Sequence, residues 1–395
     1  MSWQKVPLST LCSAIIDCVN KTAPLSFEKT PYKMLRTSNI RNGRIDTEDV
    51  KYVSRETYEK WTRRCQLLPE DIIFTREAPL GEVGMVVEPE GFFLGQRLVL
   101  FRTNPEVCYP KYLLYVLQDY EVKNTIVSGG VGSTVTHMRV PECAQIQIPC
   151  PPLEIQKRIA DTLYTYDTLI ENNRKQIKLL EEAARRLYKE WFVDLRFPGH
   201  EHTPIVNGIP EGWRRGTLHD MADMVFGQSP KSDYYNKRGM GLPFHQGVAS
   251  YGDRFVVDSV YTTKYSKAAN PGSILFSVRA PVGRLNITRK QIAIGRGIAA
   301  LNHKNGAQSF LYYLLKDYFH KEDIVGNGAI FASVSGDELR RFPIILPSDE
   351  TIDRFNAVAK CYDEKIEIVN KQNELLTEAR DRLLPKLMSG EIAIK

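Results

Sequence analysis

Two stretches decide the fold: RKQIKLLEEAARRLYKEWF, residues 174–192, and NKQNELLTEARDRLLPKLM, residues 370–388. Aligned without a gap, they are identical at eight of nineteen positions. The first stretch has no Gly or Pro, and its apolar residues recur at alternating spacings of three and four. That spacing is typical of a long helix with one buried stripe. The chain therefore contains an internal repeat, and each copy is predicted to include a long helix.

The repeat continues upstream of both helices. YLLYVLQDY (112–120) resembles FLYYLLKDY (310–318), and IIFTREAPLG (72–81) resembles ILFSVRAPVG (274–283). Short apolar runs between turn residues predict strands in both copies, and the two Tyr-rich stretches predict short amphipathic helices. The GGVGST stretch, 129–134, is interpreted as a turn before a strand.

The predicted fold class is α+β. Two repeated mixed α/β domains are joined by two long antiparallel coiled-coil helices, in a dumbbell with a pseudo-twofold axis. The expected segments are a first globular domain at 1–150, a long helix at 151–198, a linker at 199–212, a second globular domain at 213–346 and a second long helix at 347–395.

The three-four spacing defines one seam on each helix, and each seam includes one Asn. An antiparallel pairing that places Asn173 opposite Asn373 also places large residues opposite small ones, so we expect the two helices to pair within the chain. The alternative is that each helix packs on its own domain or on another protein. Pro385 stands where the first copy has Lys189, which predicts a bend or an end of the second helix. The seam residues are Leu163, Tyr166, Ile170, Asn173, Ile177, Leu180, Ala184, Leu187 and Trp191, followed by Ala359, Tyr362, Ile366, Val369, Asn373, Leu376, Arg380, Leu383 and Leu387.

Composition narrows the class of protein. The net charge of +6 mildly favours an anionic partner. No apolar run approaches the length of a membrane span, so no membrane partner is expected. Seven cysteines, an odd number without a CxxC pair, predict free thiols and a cytoplasmic location.

Positive charge is concentrated in the predicted globular domains. Residues 259–316 contain no Asp or Glu but nine Lys or Arg, and residues 29–45 contain five Lys or Arg and no acid. This segregation is typical of phosphate binding, and the interspersed Gln and His can contact base edges. The alternative for any single residue is an exposed charge or a local salt bridge. The DNA-contact candidates are Arg36, Arg41, Arg44, Arg76, Arg97, His137 and Arg139 in the first copy, and His245, Gln246, Arg254, Lys264, Arg279, Arg284 and Arg296 in the second.

Signatures of catalysis are missing from the sequence. GGVGST lacks the Lys of a P-loop, and no GxGxxG motif follows a predicted strand. Asp349 with Asp363, Glu364 and Lys365 only faintly resembles a nuclease site, and these residues are interpreted as surface charge. His200 and His202 have no nearby Cys, so no metal site is expected. We expect a chain without catalytic residues.

The sequence resembles the specificity (S) subunits of type I restriction-modification systems along its whole length. PPLEIQKRIADTL (151–163), LIENNRKQIKLLEEAARRLYKEWFVDLRFPG (169–199), IPEGW (209–213), LPFHQGVASYGDRF (242–255) and LLPKLMSGEI (383–392) carry the resemblance.

The resemblance implies a sequence-specific DNA-binding subunit. Its two target recognition domains would each read half of a bipartite site in double-stranded DNA, and the paired helices would act as a ruler for the unread gap. Two methyltransferase (M) subunits and restriction (R) subunits would be the partners. No cofactor is expected in this chain, since S-adenosylmethionine, ATP and Mg are expected on those partners. The alternative is a non-catalytic coiled-coil scaffold that binds proteins rather than DNA.

Overall fold

The computed structural model of the chain describes residues 3–130, 136–319 and 333–392. The chain divides into two compact units, one made of residues 1–173 with 371–395 and the other of residues 174–370. Each unit contains one globular domain and parts of both long helices.

The first globular domain is a mixed α/β domain. Its strands are β1 (Lys5–Pro7), β2 (Cys12–Asp17), β3 (Lys33–Leu35), β4 (Ile40–Arg41), β5 (Arg44–Ile45), β6 (Lys51–Tyr52), β7 (Ile72–Arg76), β8 (Leu80–Met85), β9 (Phe92–Leu94), β10 (Leu98–Thr103) and β11 (Gln147–Pro149). Its helices are α1 (Arg55–Trp61), α2 (Pro110–Val116), α3 (Tyr120–Ser128) and α4 (Val140–Ala144). The first long helix, α5 (Leu153–Tyr188), follows and ends in a π-helical turn, Lys189–Val193.

The main sheet of the first domain is antiparallel, in the order β2-β10-β7-β8. Strand β1 pairs with β11 beside it, and β3 pairs in parallel with β9 and antiparallel with β6. Phe74 and Phe101 of the sheet pack with Tyr112 of α2 in the core, and all three are fully buried. Burial of such large apolar surfaces is the main stabilising term of the domain.

The second globular domain has further short strands and helices. The strands are β12 (Ile205–Val206), β13 (Ile209–Pro210), β14 (Arg214–Thr217), β15 (Ala222–Phe226), β16 (Tyr235–Asn236), β17 (Leu242–His245), β18 (Tyr261–Thr262), β19 (Ala268–Ala269), β20 (Ile274–Ser277), β21 (Leu285–Ile287), β22 (Ile292–Ile294), β23 (Ile298–His303) and β24 (Pro343–Leu346). The helices are α6 (Leu218–Met221), α7 (Gln308–Phe319), α8 (Gly336–Arg340) and the second long helix, α9 (Asp349–Met388).

The second domain repeats the strand connections of the first. Its main sheet has the order β15-β23-β20-β21, β14 pairs with β24, and β17 pairs in parallel with β22. These pairings correspond one by one to those of the first domain, which confirms the predicted repeat of mixed α/β domains. The apolar runs predicted as strands form β7, β8, β10, β20, β22 and β23, and the two Tyr-rich stretches form α2 and α7. Residues 131–134 of GGVGST lie outside the described residues.

The long helices pair with each other within the chain. In the first unit, Leu163 near the start of α5 belongs to the same apolar cluster as Leu387 near the end of α9. In the second unit, Ala184 near the end of α5 shares a cluster with Ala359 near the start of α9. The helices therefore run antiparallel, as predicted.

The predicted seam faces inward, because every seam residue is buried or half-buried. Leu179 and Leu375, which lie off the seam, are 65% and 58% exposed. The pairing of Asn173 with Asn373 stays a prediction; within the described part of the chain the buried Oδ1 of Asn373 accepts no hydrogen bond.

Of the two outcomes expected at Pro385, an end of α9 is wrong, since the helix continues to Met388, and a bend there stays a prediction. Apolar contacts explain the continuation. Leu387 and Met388 are buried in the core of the first unit, and this burial offsets the free-energy cost of the backbone hydrogen bond that Pro385 cannot make. All seven cysteines are free thiols. Among the described residues, no helix has the length and apolar character needed to cross a membrane.

Candidate nucleic-acid interface

In the first unit, the parallel strands β3 and β9 end side by side, and this brings the residues that follow them close together. Leu35, the last residue of β3, accepts a hydrogen bond from the Gly95 amide at 2.8 Å. Arg36 and Gln96 follow these two residues directly. Gln96 is half-buried, and its Oε1 accepts a hydrogen bond from the Thr22 hydroxyl at 3.4 Å.

The second unit has the same arrangement with different side chains. His245, the last residue of β17, accepts a hydrogen bond from the Gly295 amide at 2.8 Å. Gln246 and Arg296 follow these residues, and both side chains are exposed. Gln246 therefore occupies the position of Arg36, and Arg296 occupies that of Gln96. Each unit presents one Arg and one Gln at this place, in exchanged order.

Close backbone contact explains why glycine flanks Arg296. The Gly297 amide donates to the Gln246 carbonyl at 3.1 Å. A Cβ built on Gly297 would lie 2.3 Å from that carbonyl oxygen, a distance that real side chains do not tolerate. Glycine thus lets the turn carrying Arg296 lie directly against the backbone of Gln246.

Further polar side chains surround this turn. The backbone N–H of Gln228 donates to the Ile294 carbonyl at 3.0 Å, and the backbone N–H of Ile294 donates to the Lys267 carbonyl at 3.1 Å. The Ser266 hydroxyl donates to Gln228 Oε1 at 3.1 Å. We call the exposed set Gln228, Gln246, Ser266, Lys267 and Arg296 the second-unit surface.

Among the described residues, no acid pairs with the positive charges of the second-unit surface. Neither Lys267 nor Arg296 has an ion pair with any acid in the described part of the chain. The same is true of Arg279 and Arg284, which are also exposed. Lys264 is exposed too, and its ammonium lies 4.5 Å from the ring centre of Tyr234. Unpaired exposed Lys and Arg side chains are available to neutralise phosphates.

Four of the predicted DNA-contact residues of the first unit also lie close to one another. The Arg76 amide donates to the Arg97 carbonyl at 3.0 Å, and the Met138 amide donates to the Arg76 carbonyl at 3.0 Å. The latter contact brings His137 and Arg139, which flank Met138, to the same place. We call Arg76, Arg97, His137 and Arg139 the first-unit surface.

Acids partly neutralise the first-unit surface. Arg97 Nε lies 3.5 Å from Glu77, and Arg139 Nε lies 3.9 Å from Glu142. Arg76 Nε lies 3.6 Å from Asp17 and has no hydrogen-bond partner. The pairs of Arg97 and Arg139 are largely exposed, and such pairs contribute little to stability. Arg76 differs, since its Nε is buried.

Two predicted DNA-contact residues lie against the long helices instead. Arg254 is 2% exposed and pairs with Glu181 on α5 and Asp363 on α9. Arg44 pairs with Glu171 on α5 and donates to the Asp167 carbonyl at 3.2 Å. Arg254 has almost no surface to offer a phosphate, because a buried charge is tolerated only when it is paired.

The remaining candidates have local partners. Arg36 pairs with Asp49 at 2.9 Å, and Arg41 is exposed and donates to the Thr37 and Ile40 carbonyls. His245 is 1% exposed, so its ring has no access to a base. Burial lowers the pKa of His245, although the neighbouring Asp258 carboxylate acts in the opposite direction.

The sequence prediction missed Gln96, Gln228, Ser266 and Lys267. The repeat held a usable signal for Gln96, because FLGQRLVLF (93–101) and AIGRGIAAL (293–301) align with Gly95 on Gly295. Comparing the residues after those glycines would have identified Gln96 as the equivalent of Arg296.

The acids considered for a nuclease site have other contacts. Asp363 accepts hydrogen bonds from Tyr313 and Arg254, so the negative charge of Asp363 is neutralised within the unit. Within the described ranges, no cluster of three or more His, Cys, Asp or Glu side chains is placed to hold a metal ion.

Comparison with known proteins identifies the family. The family model for the type I restriction modification DNA specificity domain matches residues 2–182 and again residues 210–378. A Methanocaldococcus jannaschii chain, provisionally named the type I restriction enzyme MjaX specificity subunit, is 32% identical over 389 residues, covering 95% of this chain and 90% of the relative. The type I restriction enzyme MjaIX specificity subunit of the same organism is 27% identical over 367 residues, covering 87% and 84%.

A solved structure shares the fold. The type I restriction-modification system S subunit from M. genitalium aligns with a TM-score of 0.60 at 18% identity, covering 98% of this chain and 96% of that one. Two α/β domains repeated on paired long helices are thus the common architecture. The chain belongs to the type I restriction modification DNA specificity family.

Proposed function

We propose that this chain is the DNA-reading subunit of a type I restriction-modification complex. Each globular domain reads one half of a bipartite target in double-stranded DNA. The chain carries no catalytic residue of its own. Two methyltransferase subunits and restriction subunits supply the chemistry, and S-adenosylmethionine, ATP and Mg bind to them.

One observation carries the proposal of DNA reading. Gln246 and Arg296 are exposed, adjacent and free of ion pairs in the described part of the chain, at a place that the first unit fills with Arg36 and Gln96. Arg recognises guanine and Gln recognises adenine through paired hydrogen bonds in the major groove. The neighbouring Lys267 supplies phosphate affinity without sequence preference.

The test is the methylation pattern of DNA in cells that express this chain with its cognate methyltransferase subunits. We expect a split motif that appears only when both are present. In the Gln246→Ala and Arg296→Gln variants, only the half-site read by the second unit should change or relax. Arg215→Gln, an exposed arginine on β14, is the matched control and should leave the motif unchanged.

Two results would contradict the proposal. One is an assembled, methylation-competent complex whose motif is the same for wild type and for both variants, which would remove the second-unit surface from DNA reading. The other is normal assembly with methyltransferase subunits without any split motif, which would favour a protein scaffold.

A further inference from the structure

A tyrosine–aspartate contact recurs in both units, where the globular domain meets a long helix. In the first unit, Tyr115 of α2 donates to Asp167 Oδ2 of α5 at 2.5 Å. In the second, Tyr313 of α7 donates to Asp363 Oδ1 of α9 at 2.9 Å. The residues occupy equivalent positions in the two copies. Burial raises the pKa of both tyrosines, so both hydroxyls remain protonated donors.

An arginine completes each contact but comes from a different part of the chain. In the first unit, Arg380 of α9 lies 2.5 Å from Asp167 of α5. Burial opposes the charge on Arg380, but the Asp167 and Asp381 carboxylates together outweigh burial and raise the pKa of Arg380. The equivalent of Arg380 in α5 is Ala184, which has no charge to offer.

In the second unit, the arginine comes from the globular domain. Arg254 contacts Asp363 of α9 and lies 3.0 Å from Glu181 of α5. Its guanidinium also lies 4.4 Å from the ring centre of Tyr312. Arg254 therefore connects both helices to the domain, and Arg380 connects the two helices at the equivalent place in the first unit.

A second polar contact lies one helical turn further along each helix. Arg44 pairs with Glu171 in the first unit, and Arg289 lies 3.8 Å from Glu367 in the second. Glu171 and Glu367 are equivalent positions of the repeat. Arg289 also donates to Asn370 at 2.9 Å. Each domain thus contacts its helix at two successive turns, through hydrogen bonds to Asp167 and Asp363 and through ion pairs with Glu171 and Glu367.

Apolar packing lies one helical turn before the tyrosine–aspartate contacts along each helix. Leu163, one turn before Asp167, is fully buried, and so is Ala359, one turn before Asp363. Apolar burial holds surfaces together but has little directional preference. Charged hydrogen bonds are directional and short. The apolar contacts therefore attach each domain to the helix, and the polar contacts fix its rotation about that attachment.

We propose that the sets Tyr115, Asp167 and Arg380, and Tyr313, Asp363 and Arg254, are positioning clusters that determine which gap length between half-sites is accepted. We call them the first and second anchor clusters. This inference rests on the proposed function, because it needs a bipartite DNA target. The residues of the clusters contact no base; they act by orienting the domains that do.

The experiment uses the complex with its cognate methyltransferase subunits. The DNA is a library in which the two half-sites are separated by the natural gap or by gaps one or two base pairs longer or shorter. Methylation at each gap length is counted by sequencing. Tyr313→Phe and Tyr115→Phe each remove one hydroxyl and retain the ring packing, and Asp363→Asn removes the charge that Arg254 requires.

For the wild type we expect strong preference for one gap. In each variant, we expect the ratio of methylation at gaps altered by one base pair to methylation at the natural gap to rise about tenfold, equivalent to about 1.4 kcal/mol. Both half-site sequences should stay the same, because the reading surfaces are untouched. Arg215→Gln is again the matched control and should leave the gap preference unchanged.

Folding is monitored in parallel by chemical denaturation, since Asp363→Asn leaves Arg254 with one carboxylate fewer. Tyr313→Phe is the decisive variant because it alters neither charge nor packing volume. If this variant assembles and keeps the wild-type gap ratio, whatever its stability, the anchor clusters are only structural and the inference is wrong. If the wild type itself shows no split motif, the proposed function fails, and that result is distinct from a lost gap effect.

Discussion

The imidazole of His245 lies against the carboxylate of Asp258, with Nε2 2.9 Å from Oδ1. The other ring nitrogen, Nδ1, lies 2.8 Å from the hydroxyl of Ser250. One buried ring thus joins the start, the middle and the end of the segment 245–258. That segment carries Gln246 on the second-unit surface and Arg254 in the second anchor cluster. The conformation of this segment therefore connects the second-unit surface to the second anchor cluster.

The stability of the second unit should depend on the protonation of His245. Because burial lowers the pKa of His245 in the folded chain, the unfolded chain binds the proton more readily near its usual pKa of 6.5. Stability contributed by the neutral ring is present above that value and decreases as pH falls below it. We expect the free energy of unfolding to decrease as the pH is lowered from about 7.5 to about 5.5.

His245→Gln supplies the comparison for this pH dependence. The variant should be less stable at neutral pH and should lose less stability on acidification than the wild type. Burial also lowers the pKa of His303, so part of the pH dependence remains in the variant. Urea denaturation at both pH values measures the difference. Equal losses in wild type and variant would show that His245 is not the titrating group.

Arg296 should contribute to the salt dependence of DNA binding more than Arg97 does. Arg296 is exposed without an acid partner in the described residues, whereas Arg97 lies 3.5 Å from Glu77. Replacing Arg296 by Gln should reduce the slope of log affinity against log salt by about 1. The Arg97→Gln variant should change it less. Affinity titrations of the assembled complex at several salt concentrations measure both slopes, and the reverse order would contradict the assignment.

The ion pair of Arg102 and Asp71 should be important for the first domain. Asp71 has a side chain 1% exposed, and two guanidinium nitrogens of Arg102 each lie 2.8 Å from its oxygens. Arg102→Ala leaves a buried carboxylate without its partner and should cost about 3 kcal/mol or more of unfolding free energy. Arg55→Ala breaks an exposed pair with Glu59 and should cost about 0.5 kcal/mol or less. Urea denaturation distinguishes them; equal costs would contradict the prediction.

Phe355 should be essential to the packing of α9 in the second unit. It is fully buried, and its ring centre lies 5.2 Å from that of Phe192 and 5.9 Å from that of Trp191. Phe355→Ala should lower the free energy of unfolding by about 3–5 kcal/mol. Leu179→Ala, at a position 65% exposed on α5, should change it by about 0.5 kcal/mol or less. Thermal and urea denaturation of both variants measure the contrast, and a large effect at Leu179 alone would reverse this interpretation.

The predictions from sequence succeeded where the signal is local and periodic. The seam on each helix follows from the three-four spacing, which any amphipathic helix must show. The matching strand orders follow from two similar sequences, since similar apolar patterns produce similar sheets. An end of α9 at Pro385, one of the two outcomes expected there, is wrong, because burial of Leu387 and Met388 outweighs the local preference of proline.

The candidate DNA-contact residues show the limit of a composition argument. Arg296 and Gln246 lie exposed on the second-unit surface, as a reading residue must. Arg254 lies beside Asp253, just before the acid-free stretch 259–316, and it is buried between carboxylates of two helices. The residues beside Arg254 do not reveal these partners, because Glu181 and Asp363 lie far away in the chain.

The sequence by itself determined the repeat, the antiparallel long helices and the family, because periodic apolar spacing and internal similarity are properties of the chain read in order. Only the tertiary structure decided which charges are free and which are used within each unit. A charged side chain is satisfied by whatever opposite charge the fold brings to it. For Arg44, Arg254 and Arg380 that partner is more than seventy residues away in the sequence.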